Sequence, residues 1–192
     1  MYHITDSMKH IHTIFLIVIL ASSGASKQGV IMNKFTLTST AFNEGEVIPS
    51  QYTCEGSDVS PLLKWTGVPE GTKGYALTCL DPDAPPGTWV HWVIYDLPSD
   101  LTELAENVPK MDTLDSGAKQ GLCWGVDRFT RVGYYGPCPP PGHGYHRYYF
   151  TLYALDVESV GLSPKATQKD LEAAMEGHIL GEATVMGRYK RE

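Results

Sequence analysis

The chain has 192 residues, 42% of them hydrophobic, enough apolar material for one packed core and too much for a disordered polymer. A formal net charge of −7 excludes the clustered basic footprint of a nucleic-acid binder. The one dense positive run, Arg188-Tyr189-Lys190-Arg191, reads as a solvated tail.

The N-terminus is set apart. Lys9, His10 and His12 precede a run of apolar residues over 14–21, and Ser22-Ser23-Gly24-Ala25-Ser26 follows, the layout of a secretory signal. The run is too short to cross a bilayer, which takes about 20 apolar residues. Residues 1–26 are therefore predicted to be a signal peptide, 27–33 a short leader, and 34–192 a single domain, exported to the periplasm in a bacterial cell and without an integral membrane segment. The alternative is a cytoplasmic protein that starts at Met32.

Beyond the leader the pattern is mostly β. Residues 35–40 alternate, 62–65 are a short strand, and 75–80, 89–95 and 147–155 are longer ones, punctuated by Gly, Pro and Asp as in a β-sandwich. Leu101, Leu104, Ala105 and Val108 outline a short helix. A firmer helix follows Pro164: Thr167-Gln168-Lys169-Asp170 fits a capping box, and Leu171, Ala174, Met175, His178 and Ile179 form its apolar stripe up to Gly181. A last strand is predicted over 183–189. The four cysteines, Cys54, Cys79, Cys123 and Cys138, lack the C-x-x-C spacing of a zinc or redox site. Cys79 reads as a core thiol; export would permit one or two disulfides, whose pairing the sequence leaves open.

Two Pro-framed segments carry the chemistry. The first is Asp81-Pro82-Asp83-Ala84-Pro85-Pro86-Gly87-Thr88-Trp89-Val90-His91-Trp92. Its two carboxylates, two residues apart, would share a face of an extended segment, and His91 stands near the start of a strand. The second is Gly136-Pro137-Cys138-Pro139-Pro140-Pro141-Gly142-His143-Gly144-Tyr145-His146-Arg147-Tyr148. Prolines and glycines bar helix and interior strand until the chain turns into a β-run, where His146, Tyr148 and Phe150 point to one face and Arg147 and Tyr149 to the other. The two segments suggest one polar pocket, in which two imidazoles, a phenol and loop amides suit a phosphate or carboxylate group.

These residues resemble the phosphatidylethanolamine-binding protein family, also called the Raf kinase inhibitor protein family, in its bacterial YbhB/YbcL-type branch. The likeness rests on the Asp-Pro-Asp-x-Pro segment with its His91-Trp92, and on the Pro-rich loop with its His146-Arg147-Tyr148. It extends through Tyr52-Thr53-Cys54-Glu55-Gly56, Ser60-Pro61-Leu62-Leu63-Lys64-Trp65 and Val68-Pro69-Glu70-Gly71-Thr72-Lys73 to Arg188-Tyr189, about residues 34 to 190. The resemblance implies a large antiparallel β-sheet packed on a smaller one, with one or two peripheral α-helices. It implies a pocket for phosphate-bearing head groups and other small anions, lined by Asp81, Asp83, His91, Pro140, His146 and Tyr148, with Trp92 and Cys138 as additional pocket positions and Tyr145 as a weaker candidate. Arg147 reads as structural, bonding neighbouring loop carbonyls. The segment between Asp83 and His91 is short and no long helix follows the last strand, so a more open site than in animal members is implied.

The expectation is a non-enzymatic protein without cofactor, metal or catalytic residue, whose partner is a small phosphate- or carboxylate-bearing ligand. A homodimer is compatible with the sequence. The alternative is an inhibitor of a kinase or serine peptidase acting through its surface, with no target identified. A hydrolase using the His/Asp pocket ranks third. His143 and His146 with the two aspartates are a weak metal pattern, and Ser116-Gly117-Ala118-Lys119 matches S-x-x-K without the companions that motif needs. Cys138 with a nearby His would be a thiol–imidazole pair, but its flanking prolines exclude the helix N-terminus that often activates such thiols.

Overall fold

The computed structural model describes residues 34–123 and 131–192. The predicted signal peptide and leader lie outside the described residues. Strands dominate: β1 (Thr36–Ser39), β2 (Leu63–Thr66), β3 (Gly74–Asp81), β4 (Trp89–Pro98), β5 (Glu103–Leu104), β6 (Lys119–Gln120), β7 (Leu122–Cys123), β8 (Arg131–Val132), β9 (His146–Leu155) and β10 (Ile179–Tyr189), with helix α1 (Gln168–Met175) between the last two. The large sheet runs β10-β9-β3-β4-β6, a smaller one β1-β2-β5, and β7 pairs with β8; the strand pairings within these sheets are antiparallel.

The period-2 alternation decides the layers. Leu37, Leu63 and Trp65 of the small sheet meet Tyr75, Leu77, Phe150, Leu152, Ala183 and Val185 of the large sheet in the main core. The opposite face of the large sheet presents Ala76, Val93 and Tyr95, which Leu171 and Met175 of α1 cover. The strands at the centre of the large sheet therefore read as continuous apolar runs, because both faces are buried.

Most predicted elements are present, and four differ. The capping box of α1 forms as expected: the Asp170 backbone N–H donates to Thr167 Oγ1 and the Thr167 N–H to Asp170 Oδ2. The helix stops at Met175, however, because Gly177 takes a positive φ of 81° and His178 turns out to pair with Asp156 at 2.8 Å. Ile179 opens β10 instead of closing the helix, so the last strand starts earlier than 183. Residues 101–108 form no helix; Glu103 and Leu104 pair with Lys64 and Leu63 as an edge strand, and Asn107 takes a positive φ of 61°. The basic C-terminal run is no solvated tail either. Arg188 and Tyr189 belong to β10, where Tyr189 is buried, and Arg191 reaches Glu55 at 3.3 Å.

Candidate functional site

Each half of the site is delivered by an element whose local shape follows from its residues. Asp81 is the last residue of β3, and Pro82 after it forces the chain out of the sheet. Asp81 is 3% exposed and its carboxylate is held at both oxygens: Oδ1 accepts the Asp83 backbone N–H at 2.8 Å and Oδ2 accepts from His146 Nδ1 at 2.8 Å. The carboxylate thus fixes the imidazole's orientation and tautomer.

His91 reaches the same place through a β-bulge. Cys79 of β3 pairs with Trp92 and Leu80 with Val90, so β4 carries one residue in excess at this point. Consecutive His91 and Trp92 therefore both point toward the main core, while Val90 and Val93 pack on the helix side. The His91 ring meets Tyr148 edge-on, centroids 5.1 Å apart, and its Nδ1–H donates to the Tyr135 carbonyl at 2.5 Å. Burial holds its pKa below the ordinary value, which favours the neutral ring.

Tyr148 follows His146 by two in β9 and shares its face, as alternation requires. Its hydroxyl is fully buried and has no hydrogen-bond partner among the described residues. Burial, reinforced by the charge and nearness of the Asp81 carboxylate, raises its pKa, so the phenol keeps its proton and remains a donor.

A cavity of about 260 Å³ opens over these groups. Asp81, His91, His146 and Tyr148 supply its polar floor, and Pro85, Pro86, Trp89, Cys138, Pro139 and Pro140 its largely apolar walls. The wall from the second loop is tied down covalently and sterically. Cys138 is disulfide-bonded to Cys54, with Cα atoms 5.4 Å apart, and Arg191 Nη1 approaches its sulfur at 3.8 Å. A methyl group on Gly136 would stand 2.0 Å from the Tyr52 carbonyl oxygen, so only glycine lets the two segments meet.

The predicted set is therefore largely assembled, with corrections. Asp81, His91, Pro140, His146, Tyr148 and Cys138 share the cavity. Asp83 does not: the turn after Pro82 swings it outward, where Arg147 grips it through Nε at 2.9 Å and Nη2 at 2.7 Å. That pairing pulls the Asp83 pKa down to about 2. The idea that both carboxylates share a face fails because residues 81–83 are not an extended strand. Arg147 bonds the Asp83 carboxylate and the Tyr149 hydroxyl, not the loop carbonyls expected of it. Trp92 lies in the core, its Nε1–H donating to Gln120 Oε1 at 2.8 Å. Tyr145 is 46% exposed and belongs to a neighbouring cleft. Bonding to Cys54 removes Cys138 as a thiol nucleophile; Cys79 and Cys123 are buried free thiols. Lys119 of the S-x-x-K match is engaged by Asp96 at 2.9 Å and by the Leu162 carbonyl. Among the described residues no group of three or more His, Cys, Asp or Glu side chains is placed to hold a metal ion.

Sequence reasoning passed over Pro85, Pro86, Trp89 and Pro139 as walls and Tyr135 as the carbonyl that orients His91. The proline density of both loops was the available signal. For Tyr135 there was none, because a backbone acceptor leaves no mark in residue type.

A β protein whose large sheet packs on a smaller one, with an Asp–His pair, a second His and a buried Tyr between two proline-framed loops, defines a recognisable class. The phosphatidylethanolamine-binding protein family matches residues 38–190, and the chain belongs to it. It is 53% identical over 167 residues to a UPF0098 protein of Aquifex aeolicus, spanning 87% of this chain and 93% of that one. Among solved structures it is similar to a phosphatidylethanolamine-binding protein homolog from Chlamydia trachomatis, with a TM-score of 0.73 and 39% identity over 83% of this chain and 99% of that one. Escherichia coli YbcL matches with the same TM-score of 0.73 at 29% identity, over 83% of this chain and all of YbcL, consistent with the bacterial YbhB/YbcL-type branch.

Proposed function

We propose that this protein is a non-enzymatic binder of small anions, above all phosphate-bearing head groups, which it takes into the pocket floored by His91, His146 and Tyr148. The observation that carries the reading is the Tyr148 hydroxyl, a buried donor that makes no close hydrogen bond among the described residues and lines the cavity. An oxyanion seated there would accept from it and lie beside both imidazoles. Asp81 is held on both oxygens by the Asp83 N–H and by His146, with the same hydroxyl within its reach, so a bound oxyanion takes over that donor from a carboxylate that keeps its other partners. The apolar walls leave room for a non-polar remainder of the ligand. Membership of the phosphatidylethanolamine-binding protein family supports a phosphatidylethanolamine-type head group.

Phosphate or O-phosphorylethanolamine should raise the melting temperature of the wild type and leave a His91→Ala/His146→Ala variant unmoved; equal stabilisation of both would sink the reading. Affinity falls between micromolar and millimolar, as a small head group makes few contacts. The effect should also depend on pH with a definite sign. Burial disfavours protonated His91, whereas a bound anion favours it, so binding takes up a proton and strengthens as pH falls. Sulfate, whose charge is constant here, should stabilise more at about pH 6 than at about pH 8.

We also propose export. A disulfide between Cys54 and Cys138 suits an oxidising compartment and supports that reading. N-terminal sequencing of the protein from its native cells should find a start just after a cut within 22–27; a start at Met32 or Asn33 in the cytoplasmic fraction would reverse it.

A further inference from the structure

A second cleft, of about 510 Å³, lies at the solvent face of the β9–β10 end, lined by Asp83, His143, Tyr145, Arg147 and Arg188 among others. The register of the two strands places Arg188 directly opposite Arg147. Like charges facing each other across antiparallel strands are unfavourable, so the pair calls for a compensating negative charge. Arg147 has one in Asp83. Arg188 makes no ion pair with any carboxylate among the described residues; its guanidinium lies over the Tyr145 ring, 4.7 Å from the centroid, with Lys190 Nζ 5.5 Å from the same centroid. His143 completes the rim, its Nδ1 3.3 Å from His146 Nε2. The lining thus carries two guanidiniums against one carboxylate, in a chain whose formal net charge is −7.

From this we propose that the cleft is a second anion site, taking a phosphate-type oxyanion on Arg188 with His143 beside it. The planar fork of Arg188 suits two oxygens of such a group, and stacking on Tyr145 restricts the side chain before the ligand arrives. The bound charge would relieve the repulsion between Arg188 and Arg147. His146 lines both cavities, so the inner and outer sites are neighbours on either side of the His143–His146 pair.

Titration of the full chain with inorganic phosphate, at ionic strength held constant with chloride and followed by amide NMR, separates the two sites. The outer site should move the amides of Gly45, Tyr145 and Arg188, and the inner pocket those of Trp89, His91 and Tyr148. Arg188→Gln should weaken the outer response about tenfold or more, the range for loss of a charge-assisted hydrogen bond, and leave the inner response in place. His143→Ala, on an exposed loop, should weaken the outer response as well, giving a second variant that leaves β10 intact. Outer amides that do not respond, or that respond equally in Arg188→Gln, overturn this site whatever the inner pocket does. An outer response without an inner one supports it and counts against the inner pocket instead.

Discussion

Replacing Cys54 and Cys138 together by Ser should lower unfolding free energy by about 4 kcal/mol and the melting temperature by roughly 8–16 °C. The bridge joins residues 84 apart in sequence, and cross-linking so long a loop removes much freedom from the unfolded chain. Part of the junction survives without it. The Cys54 N–H donates to the Pro137 carbonyl at 3.1 Å, Tyr134 Oη to the Tyr52 carbonyl at 2.7 Å, and the Gly136 N–H to Asp58 Oδ1 at 2.7 Å. Those bonds keep the loop near its place, so the variant should fold. It should nevertheless bind anions less tightly, because Cys138 and Pro139 are part of the cavity wall and ordering them would then fall to the ligand. Urea unfolding checks the first effect, with a steeper denaturant slope as its companion, since an unclipped chain exposes more surface. A loss below about 1 kcal/mol would show that the hydrogen-bonded junction, not the bridge, holds the loop.

The fold was legible wherever one residue pattern had one physical solution. Thr167 and Asp170 cap a helix because each satisfies the other's backbone donor, and that reciprocity is local. Alternation along β9 places His146 and Tyr148 together for the same reason. What escaped was set by neighbours far along the chain. Residues 101–108 have helical spacing, yet Leu104 gains more by pairing with Leu63 at the edge of the small sheet. Strict alternation on β4 would send His91 and Trp92 to opposite faces; the bulge that unites them depends on how β3 pairs, not on any residue within β4 alone. Asp83 resembles a pocket carboxylate in sequence and is claimed instead by Arg147, 64 positions away. The pairing of Cys54 with Cys138 likewise becomes visible only once the two loops meet.

Asp81→Ala should cost about 3 kcal/mol or more, whereas Asp81→Asn should cost nearer 1 kcal/mol and still impair anion binding. Alanine leaves two donors without acceptors, the His146 Nδ1–H and the Asp83 backbone N–H, at a site where water is largely excluded. Asparagine keeps an oxygen for the Asp83 N–H but turns an NH2 group toward His146. The imidazole must then accept at Nδ1 and carry its hydrogen at Nε2, facing His143 Nδ1 at 3.3 Å. Nitrogen NMR of the His146 ring should therefore show the two nitrogens exchanging roles in Asp81→Asn, a signature that a loss of stability alone would not produce. The same variant tests the non-enzymatic reading. A carboxylate that only orients an imidazole for binding has no turnover to lose, so ester and peptide hydrolysis should be at background in both wild type and variant. A hydrolytic activity in the wild type that collapses in Asp81→Asn would instead make the Asp81–His146 pair a general-base dyad and the anion pocket its oxyanion site.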